Sequence, residues 1–286
     1  MLAVAVLGRG PEPGLVDAVR SVLAQDPTPE VVVVHSDGPS PSGALRRAGL
    51  DVPVVHRAGR LMPGAARNLG VEASDAPWIA FLAGDCLARP GWVAGRLELH
   101  RGGAEAVASL LGNAYPRSRT ACATELLLHH RRLAHTPPNK RLRLGVSYAR
   151  TLFDRHGPFR EDLRTGEDSE FNGRLRRAGI AIEQAEGVVT SHRNPLRPRE
   201  FFQDQYMRGI RQVRGRASLG LAGGNRRLPL AMLADALIAW RGTSRIEDAA
   251  ERRRLRSGWP LLLPGALAYS AGTLAGARRN GWGPVQ

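Results

Sequence analysis

The chain has 286 residues, 43% of them apolar and 23% charged, which excludes a disordered or collagen-like protein and allows a sizeable core without staples. Two cysteines, Cys86 and Cys122, exclude a disulfide scaffold and fit a reducing compartment. Forty-one basic against 26 acidic residues give a net charge of +15, and Lys140 is the sole lysine, so arginine carries nearly all of it. GC-rich coding and a surface suited to phosphate-bearing partners both account for that bias.

Leu2 to Leu7 is a short apolar run closed by Gly8-Arg9-Gly10, the pattern of a buried strand entering a loop. It lacks the charged lead of a secretory signal. Leu15, Val19, Val22 and Leu23 follow helical spacing. Val31 to Val34 predicts a second strand that runs into the loop His35–Gly43, and Val52 to Val55 a third. Ala65 to Ala73 reads as a helix, and Trp78 to Leu82 as a fourth strand ending at Ala83-Gly84-Asp85-Cys86. Strands alternating with helices predict an α/β fold, a mostly parallel sheet with helices on both faces. Ligands of such sheets bind beyond the carboxyl ends of the strands, where Ser36-Asp37 and Gly84-Asp85 both fall.

Ala104 to Leu111 predicts another strand, followed by an ambiguous stretch to Lys140 rich in Arg and His. Further on come a strand at Gly145 to Ala149, a short helix at Arg150 to His156, and a helix at Phe171 to Ala178 led by Gly166-Glu167-Asp168. Ile180 to Ile182 and Gly187 to Thr190 read as two short strands, and Pro198 to Arg214 as a helix.

Five of these segments, in order, resemble the motifs of family 2 glycosyltransferases. They are Ser21-Val22-Leu23-Ala24-Gln25; Ser36-Asp37-Gly38-Pro39; Ala66-Arg67-Asn68-Leu69-Gly70; Phe81-Leu82-Ala83-Gly84-Asp85-Cys86 before Pro90-Gly91-Trp92; and Thr165-Gly166-Glu167-Asp168 with Arg174 to Gly179. The resemblance covers roughly residues 1 to 215 and implies the nucleotide-binding GT-A fold, with 216–286 as a basic and apolar helical extension. It implies an inverting transferase that moves a sugar from a nucleotide-diphosphate sugar to an acceptor hydroxyl. Asp37, Arg67, Asn68, Gly84 and Asp85 fall at donor-binding positions. Asp85 and His192 fall where the family holds a divalent cation, Mg²⁺ or Mn²⁺, which neutralises the leaving diphosphate. Asp168 is the expected general base, with Glu167 beside it to raise its basicity.

Two positions depart from the family pattern. Ala83 stands where the first of two paired aspartates is usual, and Ser36 where the first acid of the earlier loop is usual. These departures keep open a second reading, a non-catalytic relative that binds nucleotide sugars or glycans as an assembly partner.

Residues 193–227 hold nine arginines and two acids, on or near a helix with Phe201, Phe202 and Tyr206. A nucleic-acid patch, a membrane-surface helix and a solvated face share this composition. No nucleic-acid recognition motif is present, so nucleic acid is not an expected partner. Leu228 to Trp240 and Trp259 to Ala277 are apolar runs flanked by Arg226, Arg227, Arg241, Arg278 and Arg279. They read as amphipathic or re-entrant helices on the inner leaflet, which places the chain at the cytoplasmic face of the plasma membrane; a bilayer span by Trp259 to Ala277, and packing of the tail on the catalytic domain of a cytoplasmic protein, are the alternatives. A lipid-linked or cell-envelope glycan is then the expected acceptor.

Overall fold

The computed structural model describes residues 1–11, 13–130, 133, 136, 141–218 and 228–280. Arg226 and Arg227, and most of the ambiguous stretch 131–140, lie outside the described residues. The chain forms two compact units, one of residues 1–112 and 142–192, the other of 113–141 and 193–286. Residue 215, the expected boundary, falls inside a helix of the second unit.

The first unit is an α/β layer structure. Its eight-stranded sheet has the order β3-β2-β1-β4-β7-β6-β8-β5. β1 (Leu2–Arg9), β2 (Glu30–Ser36), β3 (Val54–Arg57) and β4 (Trp78–Ala83) are parallel to one another. β4 and β6 (Ala106–Asn113) each pair antiparallel with β7 (Leu144–Ala149), and β5 (Cys86–Ala88) with β8 (Ile182–His192). The sheet is therefore mixed.

Strand alternation explains why both faces are covered. Leu2, Val4 and Val6 of β1 pack with α1 (Leu15–Leu23), α2 (Ser42–Arg47) and α4 (Trp92–Arg101). Ala3 and Ala5 face the other side, with α3 (Pro63–Glu72), α6 (Thr151–His156) and α7 (Glu167–Arg177). Small residues matter on that side, since a methyl group on Gly70 would crowd Ala5 at 2.6 Å.

The structure joins the two short strands read at 180–190 into the single strand β8. Glu183, Glu186 and Gly187 interrupt its apolar pattern, but hydrogen-bonded neighbours on both sides carry the strand through. The helix expected from Phe171 starts four residues earlier, at Glu167. Gly166 takes the left-handed turn before it (φ 85°), and Glu167, Asp168 and Glu170 in its first turn suit the positive end of the helix dipole.

The second unit is helical: α5 (Arg119–His129), α8 (Pro198–Ser218), α9 (Leu228–Gly242), α10 (Ala249–Arg256) and α11 (Trp259–Asn280). Leu126, Leu127, Phe201, Leu255, Leu262 and Ala266 are central to its core. Glu125, buried on α5, accepts two hydrogen bonds from Arg254 of α10 at 2.8 and 3.0 Å. α8 and α11 meet through glycines. A methyl group on Gly209 would overlap the Tyr269 carbonyl, and one on Gly272 the Tyr206 carbonyl. Among the described residues, no helix is long and apolar enough to cross a membrane.

Candidate functional site

Parallel pairing delivers the ends of β1, β2 and β4 to one edge of the sheet, with Arg9 opposite Ser36 and Leu7 opposite Ala83. The Gly10 amide donates to the Ser36 carbonyl and the Gly84 amide to the Leu7 carbonyl, both at 2.8 Å. Asp37 and Asp85 emerge at this edge as expected. Asp37 is exposed and has φ 66°, a left-handed conformation that aspartate tolerates better than most side chains. Ser36, at the missing acid position, is buried and accepts from the Leu61 amide at 3.3 Å.

Asp85 meets His192 through β-sheet register. Cys86 pairs with His192 across β5 and β8, so residues more than one hundred positions apart become neighbours. The Asp85 Oδ2 and His192 Nε2 lie 3.4 Å apart, and the Cys86 thiol donates to Asp85 Oδ1 at 3.4 Å. Burial pushes the Asp85 carboxyl up, but the hydrogen bond and charge of His192, helped by the Cys86 thiol, hold it below the usual carboxylate range. Ligand atoms of Asp85, Cys86 and His192 all lie within 4.8 Å of one another. Carboxylate oxygen with imidazole nitrogen fits Mn²⁺ well, and Mg²⁺ through the carboxylate. Ala83, exposed at the end of β4, adds no oxygen.

Arg67 on α3 pairs with buried Glu167 at the start of α7. Its guanidinium also lies 5.7 Å from the Phe81 ring centre and 5.8 Å from that of Phe159. Burial raises the Glu167 carboxyl; Arg67 pulls it down and the charge of Asp168 pushes it up, leaving it above the usual range. Asp168 is half-buried and accepts from the Ser169 amide at 2.7 Å. Packing of Phe171 at 4.7 to 5.2 Å from Phe159, Phe153 and Tyr148 fixes α7, and so fixes both acids.

Asn68, expected at the donor, is buried and makes a structural clamp. Its amide donates to the Phe159 carbonyl (3.0 Å) and Glu161 (2.8 Å), and accepts from the Phe159 amide (3.0 Å). Gly84 provides the tight turn from β4 into Asp85. Two groups went unread in the sequence. His35 and His56 stand opposite in register, their Nδ1 atoms 3.3 Å apart, and His35 Nε2 donates to the Gly10 carbonyl at 2.9 Å. Arg96 is fully buried over Trp92, donating to the carbonyls of Val107 and Gly145 and to Ser147, and burial drops it to about 9. The signal for Arg96 is the i, i+4, i+8 spacing of Trp92, Arg96 and His100 on a helix face shared with apolar residues, whereas the His35–His56 pair depends on strand register.

Known proteins resemble this chain in both sequence and fold. A pre-mycofactocin glycosyltransferase of Mycobacterium tuberculosis is 27% identical over 221 residues, 73% of this chain and 46% of that protein. Glycosyltransferase AglE of Haloferax volcanii is 27% identical over 153 residues, 52% of this chain and 50% of that protein. The chain thus spans about half the length of the curated relatives it matches. The mannosyltransferase PcManGT of Pyrobaculum calidifontis, solved with GDP-Man and Mn²⁺, superposes with a TM-score of 0.61 at 19% identity, covering 98% of this chain and 87% of that one. The model of glycosyl transferase family 2 matches residues 3–149, just over half of the chain. With the sheet-edge acids and the Glu167-Asp168 helix in place, the chain belongs to glycosyltransferase family 2.

Proposed function

We propose that the chain is an inverting glycosyltransferase that moves a hexose or related sugar from a nucleotide-diphosphate sugar to an acceptor hydroxyl of a lipid-linked or cell-envelope glycan. One observation carries this reading: the Asp85–His192 pair, 3.4 Å apart at the sheet edge where α/β folds bind ligands. The GDP-Man and Mn²⁺ bound by the structural relative support the same donor class.

Asp85 and His192 would hold a divalent cation, Mn²⁺ or Mg²⁺, which supplies charge neutralisation for the leaving diphosphate. Asp168 takes the proton of the acceptor hydroxyl. The freed oxygen bonds to the anomeric carbon as the bond from that carbon to the diphosphate oxygen breaks, and the electron pair leaves with the nucleotide diphosphate. Glu167, paired with Arg67, shapes the start of α7 and so holds Asp168 in place. Asp37 presents a carboxylate to the nucleoside.

The test is donor hydrolysis across a panel of nucleotide sugars, with and without Mn²⁺, for wild type and Asp85→Asn. Metal-stimulated hydrolysis of one donor, cut by orders of magnitude in the variant, is the expected result. Donor binding without turnover would favour the binding-only relative that Ala83 keeps in view, and full activity in Asp85→Asn would refute the site.

A further inference from the structure

Charge is divided very unevenly along the chain. Of its 41 basic and 26 acidic residues, the first unit carries 18 and 19, the second 23 and 7. The sheet unit is therefore near neutral at −1, and the helical unit holds +16.

That same unit carries a long apolar face. On α11 the exposed residues Trp259, Leu263, Leu267 and Leu274 (60, 60, 53 and 43% exposed) recur at helical spacing along one side. Every other exposed residue of α11 before Arg278 is alanine or proline. α9 repeats the pattern, with Leu230, Leu237 and Ile238 exposed before Arg241. The rings of Trp240 and Trp259 lie 6.1 Å apart and join the end of α9 to the start of α11. The opposite side of α11 is locked to α8 by Gly209, Gly272 and Gly276, so the outward stripe is set by packing.

We propose that this face of α9 and α11 docks on an anionic lipid surface, with both helices lying in the interface rather than crossing it. The site is independent of the transfer chemistry. Three observations select this occupant. Arginine in excess complements anionic headgroups, whereas a second copy would set +16 against +16. Tryptophan at the joined helix ends, and arginine closing each stripe, match the layered polarity of the headgroup region. The phosphate backbone of a nucleic acid would satisfy the arginines but leave the leucines in water.

The experiment is vesicle flotation of the full chain at low and high salt. Vesicles are phosphatidylcholine alone, or equal parts phosphatidylcholine and phosphatidylglycerol. Wild type should float with the anionic vesicles and stay partly bound at high salt, because apolar burial is not screened. Leu263→Glu with Leu267→Glu should lower the bound fraction by at least ~10-fold, with donor hydrolysis and helix content unchanged. Leu263→Gln with Leu267→Gln should fall between the two, and it decides the matter if the glutamates disturb the helix.

Wild type left unbound at low salt would overturn the proposal, as would glutamine and glutamate pairs that both float normally. A wild-type dimer that the glutamates dissociate, without any vesicle binding, would assign the face to a second copy instead. Salt-labile binding to homopolymer RNA without vesicle binding would assign the arginines to nucleic acid. Full donor hydrolysis in Asp85→Asn with normal flotation would refute the donor site and leave the docking face standing, so the two readings fail separately.

Discussion

The two units hide apolar surface by different means. In the first, sheet residues alternate between two faces and helices cover both. In the second, helices pack through glycine seams and leave one side bare. Of twelve exposed large hydrophobic residues among those described, ten belong to the helical unit. Both units match a buried glutamate to an arginine, Glu167 to Arg67 and Glu125 to Arg254, and the sheet unit also holds Arg96 fully buried against carbonyls and a hydroxyl. The comparison teaches that the sheet unit is built to hold a few polar groups rigidly, and the helical unit to present a surface.

The sharpest way to break this division is at Asp168. Asp168→Asn should lower transfer about 10²–10⁴-fold while nucleotide affinity and vesicle flotation stay near wild type. Normal turnover would remove Asp168 from its role as base, and lost flotation would show that the two functions are not separable.

Next comes the buried ion pair that supports it. Arg67→Ala leaves Glu167 buried and unmatched, and should cost about 3–5 kcal/mol in urea unfolding. Adding Glu167→Gln should recover much of that loss. Arg254→Ala makes the same test on buried Glu125 in the helical unit. Equal losses would show that both units rely on such pairs, and a small loss at Arg254 would sharpen the contrast.

A smaller, pH-dependent effect belongs to the sheet unit. His100 donates through Nδ1 to the Ala104 carbonyl and accepts through Nε2 from Ser147. Burial holds it at about 4; the bond to Ala104 opposes this, and the charge of Arg96 adds to it. The unfolded chain, with a value of 6.5, binds a proton that the native chain refuses between the two values. The stabilisation is therefore complete above pH 6.5 and lost as pH falls toward 4, by roughly 3 kcal/mol. Urea unfolding at neutral and acid pH checks it, since His100→Gln should flatten the dependence. Smallest of all, Ala83→Asp at an exposed strand end should leave the fold intact and tighten Mn²⁺ binding a few-fold by calorimetry. Unchanged affinity would place the cation away from β4.

The parallel half of the sheet was legible because its strands are buried runs of Val, Ile, Leu and Ala bounded by Gly, Pro and Asp. β8 was not, since Glu183 and Glu186 break the pattern and only its neighbours sustain it. α5 was hidden for a related reason: Thr120, Thr124, Glu125 and His129 are buried, and partners such as Arg254 lie far along the chain. At the candidate site, motif spacing singled out Asp85, His192, Glu167 and Asp168 but not their couplings. The 3.4 Å approach of Asp85 to His192 depends on strand register, and the clamp made by Asn68 on Phe159 depends on a loop 91 residues away. Arg67 matched a motif, yet its partner in the fold is Glu167.

The placement of α5 has a consequence for synthesis. β6 and β7 pair directly, but between them the chain departs to build α5, whose core partners Phe201, Leu255 and Leu262 come much later in the sequence. A ribosome therefore delivers Ala123, Leu126 and Leu127 before anything exists to cover them. The nascent chain must carry that uncovered helix while the sheet unit is still closing around the gap, a state prone to aggregation and to chaperone capture. Ending the chain near Arg216 would keep Phe201 but remove Leu255, Leu262 and Ala266, so α5 would stay only partly covered. It would yield a sheet unit with a sticky helix spliced into its middle, and the way to free the sheet unit is to shorten the excursion between β6 and β7 as well as the tail.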